Sequence, residues 1–392
     1  MAAKRVYLDH NATAPLRPAA RAAMAGALQS VGNASSVHAE GRAVRAYIET
    51  ARAQIAHVLG AAPACITFTS GATEANALAL SPTIDAGGQP RAFDVLLVSA
   101  VEHPSVRAGG RFAPDRVETI PVNDNGVVDL DALESLLGAH RKAGRRALVS
   151  VMAANNETGV LQPLAGIALA VHEAGGMLHS DAVQIAGKLP FDLAASSADL
   201  ISISSHKLGG PQGVGALIVR DDAIRVPPIL RGGGQEGGRR AGTENVAAIA
   251  GFGAAADEAQ SGLAREAERQ RRLRDMIERG LREVAADTVV LSAGAERLPN
   301  TVCFAVPGTP AETAIMAFDL EGIALSAGSA CSSGKVGPSE ALKAMGVAPE
   351  IAKGAMRLSV GWDTNESDIA HFLDAWKRVY LNLGQRRRER AA

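Results

Sequence analysis

Leu200-Ile201-Ser202-Ile203-Ser204-Ser205-His206-Lys207-Leu208-Gly209-Gly210-Pro211 is the stretch on which the fold turns. Its apolar run, Leu200 to Ile203, has the length of one buried strand and breaks into a tight, glycine-rich turn. A lysine placed at such a break can lose its proton and act as an amine nucleophile. Lys207 is one of eight lysines in the chain and is flanked by Ser, His and Gly, so a solvated charged face explains it poorly. Upstream, His179-Ser180-Asp181-Ala182-Val183-Gln184 closes another apolar run and supplies an acid and an amide. A Schiff-base lysine with a carboxylate for a ring nitrogen is the set that pyridoxal phosphate needs. Taken alone, Asp181 reads equally as a helix N-cap and Gln184 as a surface amide.

Working outward, short apolar runs alternate with helix-length amphipathic segments. This is the pattern of an α/β protein with a mainly parallel central sheet flanked by helices. Strands are expected at 66–69, 94–99, 117–121, 147–152, 177–181, 200–204 and 214–219. Helices are expected over 129–140, from Pro163 to about Gly175, and from Thr243, as its cap, to about Ala259. Beyond that point the alternation loses regularity. The expected division is a large domain over 15–260 and a smaller α+β domain formed by 1–14 and 261–392, with a strand at 301–306 and helices at 310–320 and 366–383. The tail Gln385 to Arg390 is charged, lacks an apolar face and is expected to fray.

At 392 residues, 47% hydrophobic but only 3% aromatic, the core must be built mainly from Ala, Val, Leu and Ile. A formal net charge of −1 argues against general attraction to nucleic acid or anionic membrane, leaving small-molecule chemistry. Cys65, Cys303 and Cys331 are too few and scattered for a disulfide framework or a paired zinc site. No run reaches the roughly 20 apolar residues of a membrane span, and no secretion signal precedes Val6, so a soluble cytoplasmic protein is expected.

Further candidates follow the strands. Thr69-Ser70-Gly71-Ala72-Thr73-Glu74 leads from a strand into a helix, and its amides and hydroxyls either hold an anion or simply cap the helix. His103, just past a strand end, is either structural or a ring-stacking, proton-exchanging group. Asn155-Asn156-Glu157-Thr158-Gly159 reads as a turn at the same sheet edge. Arg357 either clamps a substrate carboxylate or forms an internal ion pair. Ser326 to Gly334 is a run of small residues around Cys331, read as a mobile loop carrying a reactive thiol, whereas Cys65 and Cys303 read as core. Arg220, Arg225, Arg231, Arg239 and Arg240 read as solvated charge, or as a docking patch for an acidic partner.

From Tyr7-Leu8-Asp9-His10-Asn11-Ala12-Thr13 to Arg357-Leu358-Ser359, these motifs in this order closely resemble the cysteine desulfurases of the NifS/IscS type, class V aminotransferase-fold enzymes of fold type I. The resemblance implies that Lys207 binds pyridoxal 5'-phosphate covalently, Asp181 pairs with its ring nitrogen, Gln184 bonds its ring oxygen and His103 stacks on it. It implies a phosphate site from Ala72, Thr73, Ser204 and His206, with Thr243 reaching in from the second subunit of a homodimer. Asn156 and Arg357 would bind the carboxylate of L-cysteine, and Cys331, on a loop over about 326–337, would accept the sulfur as a persulfide and pass it to an acceptor or scaffold protein. Ala14, Ala34, Ala77 and Gly237 depart from the usual family pattern. Competing expectations are a selenocysteine lyase or other class V member, with no need of Cys331, and a non-catalytic sulfur carrier with a vestigial cofactor site.

Overall fold

The computed structural model describes residues 5–328 and 339–391. Seven strands form the central sheet: β1 (Ile66–Thr69), β2 (Val95–Ser99), β3 (Val117–Ile120), β4 (Ala147–Ser150), β5 (Met177–Asp181), β6 (Leu200–Ser204) and β7 (Gly215–Val219). Their order is β1-β7-β6-β5-β4-β2-β3. Only β7 runs antiparallel to its neighbours, β1 and β6; every other pairing is parallel. Strands β2, β4, β5, β6 and β7 are buried along their whole length because helices cover both faces. That is why they read as continuous apolar runs instead of alternating ones.

Each expected strand is present to within a residue or two. The helix expected to open at Asp129 runs Leu130–Lys142, with the Asp129 carboxylate accepting from Ala132 N–H. Thr243, by contrast, does not cap the next helix. Asn245 does, accepting from Ala248 N–H, so the helix runs Val246–Gln260; Asn is as good a cap and lies two residues nearer the apolar run. The final helix also corrects the expectation of a frayed tail, since its backbone continues over Glu366–Ala391. Arg and Glu are strong helix formers, and that propensity suffices where an apolar face is missing.

A second sheet has the order β8-β9-β11-β10, from β8 (Val289–Val290), β9 (Thr301–Ala305), β10 (Ser326–Ala327) and β11 (Met356–Ser359). Ser326 and Ala327 thus form strand pairs with Arg357 and Met356, and are not part of a loop. Cys331 lies outside the described residues. The few aromatic residues concentrate here. Phe318 stacks on Phe372 and Trp376 at 5.6 and 5.8 Å, and Phe304 meets Trp376 edge-on at 5.9 Å. Val6 and Leu8 belong to this core, and the N-terminal strand Val6–Tyr7 pairs in parallel with Ile323–Ala324. Residues 6–9 are therefore held beside the second sheet, with Asp9 bridging to Ser359 of β11, before the chain crosses to the first.

Trp376 is fully buried at the centre of this aromatic cluster. Trp376→Ala is expected to lower stability by about 3–5 kcal/mol, measured by urea unfolding of the whole chain.

Candidate functional site

In open α/β sheets, ligands bind where the strands' carboxyl ends meet the loops. A cavity of about 510 Å³ occupies that edge here, within the roughly 300–1,000 Å³ of small-molecule sites. Its lining includes Ala72, Thr73, His103, Asn156, Asp181, Gln184, Ser204, His206 and Lys207, gathered from segments scattered along the sequence. Thr243 and Arg357 do not line it. Thr243 is exposed elsewhere on the surface.

Lys207 leaves the end of β6 on a single 3-10 turn, Ser205–Lys207. Its Nζ donates to the carbonyls of Asn11 at 2.5 Å and Ala12 at 2.8 Å, both on the segment arriving from the second sheet. Asp181 ends β5; its carboxylate accepts from Asn76 Nδ2 at 2.8 Å and from Val183 N–H at 3.0 Å. Two donors fix the direction in which this acid faces. His103 caps a one-turn helix, Pro104–Arg107, and its Nδ1 accepts from Ser105 N–H, leaving Nε2 to carry the proton of the neutral ring. Burial lowers the His103 pKa, with Lys207 acting the same way and Asp181 opposing. His206 is pushed down to about 4 by burial, then by Lys207 and Lys188, so it is neutral at ordinary pH.

The helix Ala72–Ala79 starts at the cavity without a side-chain cap. Ser70 N–H instead donates to Glu74 Oε2, and Glu74 pairs with Arg240. The first-turn amides can therefore face an anion. Gly215 makes the close approach possible: a Cβ there would meet the Gly71 carbonyl carbon at 2.6 Å and Ile203 O at 2.7 Å.

Arg357 takes the internal ion pair in this structure. Its Nη2 lies 2.7 Å from Asp9 Oδ1, Nη1 donates to Asn156 O, and Nε has no hydrogen bond among the described residues. Asn155 is structural, its Oδ1 accepting from Glu157 N–H and Thr158 N–H in a turn that presents Asn156. Glu157, beside Gly328 and accepting from Ser339 Oγ, is raised to about 7 by burial. Arg220 pairs with Asp199 and Arg240 with Glu74, so part of the expected basic patch is spent internally. Cys65 and Cys303 are buried free thiols, as expected of core residues.

Sequence reading missed Asn76, Asn11 and Lys188 as site residues. Each acts through a contact to a distant segment, and only Lys188, a cation in the otherwise apolar Ile185 to Leu189 run, leaves a local signal.

The class-V aminotransferase family model matches residues 6–372. A cysteine desulfurase of Gluconacetobacter diazotrophicus is 40% identical over 384 residues, 96% of this chain and 94% of the relative. The structure of a NifS-like protein from Rickettsia africae superposes with a TM-score of 0.86 at 36% identity, covering 96% of this chain and 99% of that one. SspA in complex with cysteine superposes at 0.73 with 27% identity, covering 91% and 98%. Among the described residues no helix is long and apolar enough to cross a membrane.

Glu102, next to His103, accepts from Ser99 Oγ and Met152 N–H through one oxygen, while the other is buried with no hydrogen-bond partner among the described residues. Burial, then Asp181, raises it from 4.5 to about 8. The folded protein holds this proton better than the unfolded chain, so the associated stability is complete below pH 4.5 and is lost as pH rises toward about 8. Glu102→Gln keeps the accepting oxygen and removes the ionisation. In cofactor-free protein it should flatten that decline, gaining most relative to the parent at pH 8; parallel urea-midpoint profiles would contradict this.

Proposed function

Because the chain belongs to the class-V aminotransferase family and, within it, to the cysteine desulfurases, we propose that Lys207 holds pyridoxal phosphate and that L-cysteine gives up its sulfur to Cys331. The chain is an enzyme of the sulfurtransferase type. The observation that carries the reading is the convergence on one cavity of a lysine amine, a doubly hydrogen-bonded carboxylate, a neutral histidine and an uncapped helix start.

Lys207 would anchor the cofactor, Asp181 would hold the proton of the ring nitrogen, His103 would lie against the ring and Gln184 would meet the ring oxygen. Ala72, Thr73, Ser204 and His206 would hold the phosphate, and the neutral state of His206 lets it donate without adding charge beside Lys207. When bound, the cofactor supplies an electron-poor ring that stabilises negative charge at the substrate α-carbon. Asn156 and Arg357 would bind the substrate carboxylate, an assignment supported by the buried Arg357 Nε, which has no hydrogen-bond partner among the described residues. Lys207 Nζ would take the α-proton and later return one to carbon. The Cys331 thiolate would attack the substrate sulfur, forming a sulfur–sulfur bond as the carbon–sulfur bond breaks with its electron pair left on carbon. L-cysteine and one enzyme thiol thus give L-alanine and a Cys331 persulfide, whose outer sulfur passes to an acceptor or scaffold protein for iron–sulfur cluster assembly or thiolation.

Thr243, exposed on its own chain, would complete the phosphate site of a second copy in a homodimer. Leu28, Val31 and Val37, 73%, 83% and 88% exposed, support an apolar face for that pairing. The separate aromatic core supports a small domain formed by 1–14 and 261–392 against a large domain over 15–260. The buried free thiols Cys65 and Cys303 support a reducing, cytoplasmic setting.

Cys331→Ala should reduce sulfide release from L-cysteine in the presence of a thiol reductant to background, while the absorbance of the lysine-bound cofactor persists. Unchanged sulfide production would refute the assignment. Lys207→Arg should lower turnover by roughly 10²–10⁴-fold, the usual contribution of a positioned proton-transfer group, read by alanine formation.

A further inference from the structure

A second lysine stands behind the cavity wall, in contact with the lining residue Gln184. Lys188 is buried in the turn after β5, 7% exposed. Its Nζ donates to Gln184 Oε1 at 2.7 Å and to Asn11 Oδ1 at 2.9 Å, both neutral amide oxygens. No carboxylate lies within ion-pair distance of it among the described residues. Burying a lysine without a carboxylate partner is costly, and its hydrogen bonds offset that cost. Here they determine which way round two amides sit. Gln184, which lines the cavity, has its oxygen claimed by Lys188 and turns its Nε2 end to Asn11 O at 3.0 Å. Asn11 Oδ1 also accepts from Asn300 Nδ2 at 3.0 Å, while Asn11 Nδ2 donates to Thr301 Oγ1 at 2.9 Å. The Asn11 carbonyl, held by these bonds, is the one that receives Lys207 Nζ.

We propose that Lys188 is a positioning residue of the lysine–cofactor site: by donating to Gln184 and Asn11 it keeps the donor end of Gln184 directed at the ring oxygen of the bound cofactor. The inference rests on the cofactor reading above. Without Lys188 only the bond to Asn11 O still holds the Gln184 amide, which can then rotate to present its oxygen, a repulsive neighbour for an oxygen anion. A donor on the ring oxygen draws charge away from the adjacent nitrogen linking Lys207 to the cofactor, so losing the donor makes that nitrogen hold its proton more tightly. The other charged or titratable groups around Lys207 and Lys188 are Asp181, His103, His206 and Arg357, and Lys188 replacement leaves all of them in the chain.

The test is a spectrophotometric pH titration of the holoenzyme. Lys188→Met should raise the midpoint of the lysine-bound chromophore by roughly half to one pH unit, the size of one lost hydrogen bond. In a Gln184→Ala background, Lys188→Met should add nothing. If the Met variant does not fold, Lys188→Gln, whose shorter amide cannot span both acceptors, carries the same expectation. An unchanged midpoint in a folded, coloured variant, or equal shifts with and without Gln184, would overturn the role of Lys188 and leave the cofactor reading intact. A colourless parent enzyme would instead overturn the cofactor reading, and this inference with it.

Discussion

The Lys207 amine meeting the Asn11 and Ala12 carbonyls is the contact on which the rest of the site depends. Those carbonyls belong to a segment anchored on the opposite side. Asn11 N–H donates to Ser359 Oγ, its side chain reaches Thr301 and Asn300, and the preceding residues lie in the second core. A lysine at the end of a strand of one sheet is therefore aimed by the packing of the other. The chain makes two distant hydrophobic cores agree on the position of one nitrogen.

The electrostatics follow from the same enclosure. Burial drives His206 to about 4, His179 to about 3 and Glu102 to about 8, so these three groups are neutral near pH 7. Asp181, hydrogen-bonded by Asn76 and Val183, is left as the acid facing the cavity. Among the groups that line the cavity, Lys207 supplies the amine and Asp181 the carboxylate, which suits chemistry at an electron-poor ring.

Much of this was legible in the sequence for one physical reason. In a parallel sheet the buried strands are short apolar runs, and the residues just past their ends line the ligand edge. Hence Asp181, Ser204, His206 and Lys207 could be read as a group, and the structure places them on one cavity. What could not be read depends on pairings between distant residues. Lys188 becomes meaningful only beside Asn11, and Asn76 only beside Asp181. Arg357 was open between a ligand clamp and an ion pair until the fold brought Asp9 to it. Local competition explains the remaining misses: Asn245 displaced Thr243 as a cap, and propensity extended the last helix to Ala391.

The most direct measurement is borohydride reduction of the purified holoenzyme followed by peptide mapping. The account predicts that the reduced cofactor is attached to Lys207 and to no other lysine. Attachment at Lys188, or no attachment to the chain at all, would contradict it.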